Sequence, residues 1–111
     1  MKRTLSLDLE TYSDIDLAKC GVYAYVDSPS FEILLIAYCF DDDEVKIVDL
    51  ALGDVMPQEV KEAILSDDVI KTAFNANFER TCLSKYFDIN LKANSWCCTA
   101  VQASMLALPL S

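Results

Sequence analysis

Histidine is missing from this chain altogether, and none of its five cysteines sits in a Cys-x-x-Cys pair. Those two absences argue against zinc. Tetrahedral zinc is held by Cys and His at characteristic spacings, and the vicinal Cys97-Cys98 pair cannot easily supply two corners of one site. Long apolar runs are missing too. The most apolar stretch, Ile33 to Phe40, is too short to cross a bilayer, and Met1-Lys2-Arg3-Thr4 enters an alternating segment with no signal-peptide core. The expectation is a cytoplasmic protein with no membrane partner. An odd number of cysteines (Cys20, Cys39, Cys82, Cys97 and Cys98) then reads as reduced thiols in core or near-surface positions, not as a disulfide framework. No repeat or low-complexity tract occurs.

Basic residues are also scarce. Nine Lys and Arg face eighteen Asp and Glu, for a net charge of -9. That balance is awkward for a nucleic-acid binder, whose phosphate contacts come mainly from Lys and Arg. The excess is local, however: residues 1 to 55 hold twelve acids and four bases, residues 56 to 111 six and five. A bound cation can receive a phosphate where the bare protein would repel it. With 111 residues, 53% hydrophobic and 24% charged, the chain makes one globular domain.

Leu5-Ser6-Leu7-Asp8-Leu9-Glu10-Thr11 is the stretch around which the rest is organised. Strict alternation predicts a strand with Leu5, Leu7 and Leu9 on one face and Ser6, Asp8 and Glu10 on the other. Two carboxylates side by side repel each other, and a hard divalent cation such as Mg²⁺ or Mn²⁺ removes the conflict. The same pattern also fits an edge strand with a wet, acidic outer face.

Downstream, Tyr12 to Asp27 reads as a loop with one short helical turn near Asp16 to Cys20, and Asp27-Ser28-Pro29-Ser30 as a turn. Phe31 to Phe40 and Glu44 to Leu50 read as strands joined by a hairpin at Asp41-Asp42-Asp43, an acid run that is most simply a solvated tip, with calcium as a minor alternative. Pro57 opens a helix whose Val60, Ala63 and Ile64 share a face. Val69 to Phe74 is a strand beside the first. Asn75-Ala76-Asn77 reads as the cap of a helix from Phe78 to about Tyr86 with Cys82, Leu83 and Tyr86 inward. A short strand around Ser95 to Cys97 and a last helix, Thr99 to Leu106, complete an α/β layout: a mixed sheet flanked by helices.

Phe74-Asn75-Ala76-Asn77-Phe78-Glu79-Arg80 is the second stretch able to carry chemistry, because it places a carboxylate in the first turn of a helix. A helix N-terminus favours Glu, and Asn is a good cap, so ordinary capping also explains it.

Together the two stretches resemble the 3′–5′ exonuclease domain of family A DNA polymerases, of the phage and prophage type, in the DEDD superfamily with its ribonuclease H-like fold. Asp8-Leu9-Glu10-Thr11 matches the first motif, Asp-x-Glu-Thr. Asn75-Ala76-Asn77-Phe78-Glu79 matches the second, Asn-x-x-(Phe or Tyr)-Asp, with Glu79 where the family usually has Asp. The resemblance implies a two-metal Mg²⁺ or Mn²⁺ site. Asp8 would bridge both ions, Glu10 would bind the one that activates water, and Glu79 would hold the other. Thr11, Tyr12, Asn75 and Phe78 would face the substrate, the single-stranded 3′ end of DNA, with Tyr12 able to stack on a base. Two cations about 4 Å apart stabilise both the attacking and the leaving oxygen of a phosphodiester displacement.

The family's third motif, Tyr-x-x-x-Asp or its His counterpart, does not occur after Glu79: Tyr86 precedes Asn90, not an acid, by four residues. Tyr23 to Asp27 and Tyr38 to Asp42 have the spacing but lie upstream. The resemblance therefore implies the N-terminal part of such a domain, incomplete at its C-terminal side, inactive or weak alone, and open to self-association through uncovered apolar surface. A non-catalytic acidic interaction module of the same fold, or another ribonuclease H-like nuclease, are the alternatives.

Overall fold

The structure, a computed structural model, describes residues 3–41 and 43–99. β1 (Arg3–Tyr12) is the central strand. Its alternation holds as expected, with Leu5, Leu7 and Leu9 buried and Ser6, Asp8 and Glu10 exposed. β2 (Glu32–Phe40) runs antiparallel to it and β3 (Lys46–Asp49) antiparallel to β2. β4 (Val69–Ala73) lies parallel on the other side of β1, and β5 (Trp96–Cys98) parallel beyond β4. The sheet order is β3-β2-β1-β4-β5.

One irregularity interrupts the β1–β2 ladder. Glu10 pairs with Leu35 but Thr11 pairs with Ile33, so Leu34 is an extra residue on β2. A bulge of this kind inverts the side-chain phase. Ile33 before it is buried, and after it the buried positions become Ile36, Tyr38 and Phe40.

α1 (Leu17–Asp27) corrects the expected loop. It is two helical pieces joined at Gly21, whose φ of 82° and ψ of 169° are non-helical. Asp16 caps it by accepting from the Lys19 amide. The Gly21 bend and the polar run before it hid this helix from periodicity, yet the second piece buries Tyr25 and Val26.

After β3 the chain makes a 3-10 turn, Leu50–Leu52, and then α2 (Gln58–Leu65), with Pro57 at its N-cap and Val60, Ala63 and Ile64 buried as expected. α3 (Ala76–Phe87) buries Ala76, Glu79, Cys82 and Leu83. Tyr86, expected inward, is exposed, and Phe87, four residues after Leu83, packs against the core instead. Leucines of β1, Ile33 and Ile36 of β2, Val60 and Ile64 of α2, and Cys82 and Leu83 of α3 form one core. The helix expected from Thr99 to Leu106 lies, beyond Thr99, outside the described residues. Among the described residues no helix is long and apolar enough to cross a membrane.

Candidate active site

Parallel β1 and β4 run toward the same edge of the sheet, so their carboxyl ends open onto one place. Ser6 is level with Thr72 near the end of β4, and the chain then turns through Phe74 and Asn75 into α3. Asn75 starts the helix: its side chain accepts from the Phe78 amide and its carbonyl from the Phe78 and Glu79 amides. That cap sets Glu79 in the first turn, where the helix dipole favours an anion.

Glu79 is the unusual group. It is only 6% exposed, and its Oε2 is buried with no hydrogen-bond partner. Burial pushes its carboxyl up from an ordinary 4.5 to about 7; its own backbone amide pulls the other way, and the Asp8 charge adds a further upward push. The Asp8 charge on β1 thus reaches a carboxyl on α3 that lies 71 residues away in sequence. Glu10 lies two residues further along the face of β1 that carries Asp8, beside the β2 bulge. Among the described residues, no group of three His, Cys, Asp or Glu side chains is gathered closely enough to hold a metal ion. The Asp8 charge does act on Glu79, as the smallest of the three influences on its carboxyl.

The residue types suit a hard divalent cation, though the side chains are not drawn together around one. The orphaned, buried Glu79 oxygen, under the influence of the Asp8 charge, offers lone pairs of the kind Mg²⁺ and Mn²⁺ take.

Across the sheet the side chains divide by parity. Tyr12, 51% exposed, follows Asp8 and Glu10 on one side of the strand. Thr11 follows Leu9 on the other side, and its hydroxyl shares a 2.8 Å hydrogen bond with the hydroxyl of Tyr25. Phe78 is half-buried, its ring 6.0 Å from that of Tyr25. The substrate-facing candidates therefore separate into Tyr12 and Asn75, both exposed, and Thr11 and Phe78, both engaged with α1.

Comparison with known proteins was decisive for the lineage. Over 107 residues, 96% of its length, the chain is 61% identical to the DNA polymerase of Bacillus phage SP02. The chain is a relative of a phage DNA polymerase. It spans only 16% of that polymerase. The crystal structure of the Aedes aegypti Nibbler EXO domain superposes with a TM-score of 0.61 at 14% identity, covering 94% of this chain and 46% of that one. At that identity the likeness shows the fold, an α/β, ribonuclease H-like sheet with flanking helices. No protein-family model matches the sequence. The resemblance drawn from Asp8-Leu9-Glu10-Thr11 and Asn75 to Glu79 is thereby borne out.

Two residues near these motifs gave no signal in the sequence. Tyr25 sat in a stretch read as loop. Lys71, 1% exposed, lies within the strand expected at Val69 to Phe74; its Nζ donates to the Ser95 hydroxyl at 2.7 Å and to the Ser66 carbonyl at the end of α2. An ammonium there complements the helix C-terminus.

Proposed function

We propose that this chain is the N-terminal part of a 3′–5′ exonuclease domain of a phage-type DNA polymerase, a proofreading domain that, when complete, hydrolyses phosphodiester bonds at the 3′ ends of DNA in the cytoplasm. The observation that carries this reading is the buried carboxylate of Glu79, one oxygen of which has no hydrogen-bond partner and which feels the Asp8 charge, on two motifs whose order matches that family. Asp8, Glu10 and Glu79 would hold two Mg²⁺ or Mn²⁺ ions. When bound, such ions stabilise charge on the attacking and leaving oxygens of an in-line displacement. The protein's own share is positional: α3 presents Glu79 toward β1, and Tyr12 offers an exposed ring against which a terminal base can stack.

Residues 1–111 supply three carboxylates of the family's four, so this polypeptide alone is inactive or weak. Digestion of a labelled single-stranded oligonucleotide with Mn²⁺ tests this: at most trace 3′ trimming is expected, abolished by Asp8→Ala. Robust trimming abolished by Asp8→Ala would contradict the expected inactivity, and robust trimming that survives Asp8→Ala would overturn the assignment of Asp8. The Asp8 face of the sheet also carries exposed apolar side chains. Ile47 is level with Ala37, which is level with Asp8, and a hollow of about 150 Å³ there is lined by Ala37, Cys39 and Val45. That surface supports self-association, and a single monomeric species in sedimentation at high concentration would refute it.

A further inference from the structure

Tyr25 joins more of the site's surroundings than any other side chain on α1. Its hydroxyl shares a 2.8 Å hydrogen bond with Thr11, the last residue of the first motif. Its carbonyl accepts from the Ser13 hydroxyl at 2.7 Å, just beyond β1. Its ring packs edge-on to Phe31 at 5.8 Å and tilted on Phe78 of the second motif at 6.0 Å. It is 9% exposed.

The stretch it holds needs a tether. Between Glu10 and Thr11 the register with β2 slips by one residue, so the ladder is locally disturbed where the strand presents its second acid, before Thr11 and Tyr12 pair again with Ile33 and Glu32. Among the described residues, the pairing of β1 with β4 ends at Ser6. Backbone pairing with β2 holds the end of β1 on one side, and the Thr11 hydroxyl adds a side-chain tie from it to α1. The partner, Tyr25, also touches the residue immediately before Glu79.

We propose that Tyr25 is a positioning residue, fixing the distance between the carboxylates of β1 and the carboxylate of α3 by hydrogen-bonding one motif and packing on the other. The inference rests on the metal-site reading above, and its effect is on affinity for the cation rather than on chemistry. Tyr25→Phe removes the bond and keeps the ring, so it separates positioning from core packing.

The test uses the whole 111-residue chain with two readouts. Mn²⁺ affinity, followed by electron paramagnetic resonance, is expected to weaken about fivefold in Tyr25→Phe and equally in Thr11→Val. The double variant is expected to be no weaker than either single one, and Thr11→Ser is expected to retain wild-type affinity. Without metal, amide exchange in residues 8–13 and 75–79 is expected to quicken in Tyr25→Phe while β2 and β3 keep their protection. Unchanged Mn²⁺ affinity in Tyr25→Phe, or additive effects of the two substitutions, would overturn the positioning role even if wild-type chain binds Mn²⁺ well. Wild-type chain that takes up no Mn²⁺ would instead overturn the metal-site reading. The exchange pattern then decides on its own whether Tyr25 links the two motifs: quickening in both segments supports the link, and unchanged protection refutes it.

Discussion

Glu79 on α3 is buried within reach of the charge of Asp8 on β1, and one of its carboxylate oxygens has no hydrogen-bond partner. A protein selected for stability alone gains nothing from this pair, since an unpaired buried carboxylate costs free energy whether it is ionised or left unbonded.

The cost depends on pH with a defined sign. Because the folded-state value, about 7, lies above the ordinary 4.5, the folded chain holds a proton that the unfolded chain releases between those values. Stability from this group is thus fully present below pH 4.5 and lost as pH rises through 7. Glu79→Gln keeps the shape without the charge, and above pH 7 it should be more stable than wild type by up to roughly 3 kcal/mol. Urea unfolding at pH 5 and pH 8 checks this: the advantage should be small at pH 5 and grow at pH 8.

Gly21 occupies a conformation that only glycine adopts easily, with φ 82° and ψ 169°. Nothing lies within 4 Å of where a Cβ would stand, so the cost of Gly21→Ala is backbone strain, not collision. A loss of about 1–3 kcal/mol in urea unfolding is expected. A neutral result would mean that the bend in α1 does not depend on this residue.

The thiols should separate by reactivity. Burial pushes the Cys82 thiol up to about 12, with the Glu79 charge adding to the effect, whereas Cys20 is exposed. Alkylation of the native chain followed by mass spectrometry should modify Cys20 first and leave Cys82 untouched until denaturant is added. Early loss of Cys82 would show that α3 opens readily from the core.

The strands and two of the three helices could be read from the amino-acid order because their burial is periodic: Leu5, Leu7 and Leu9 every second residue, Val60, Ala63 and Ile64 on one helical stripe. α1 could not, since Gly21 divides it into pieces too short to show a period. Tyr86 was misplaced because the stripe through Glu79 and Leu83 continues to Phe87 instead. Asp8 and Glu79 were legible as candidates through the spacing of their motifs. Their juxtaposition was not, because it depends on β4 lying parallel to β1, a long-range pairing with no local signature. The tie from Thr11 through Tyr25 to Phe78 depends on that packing as well.

The most direct measurement is a carboxyl-carbon NMR titration of Glu79 in wild-type chain and in Asp8→Asn, with and without Mg²⁺. Expected is a midpoint near 7 in the metal-free wild type, lower in Asp8→Asn, and driven well down by Mg²⁺ in wild type but much less in Asp8→Asn. A Glu79 midpoint in the ordinary carboxylate range that responds neither to Asp8→Asn nor to Mg²⁺ would contradict a cation site shared by these two residues.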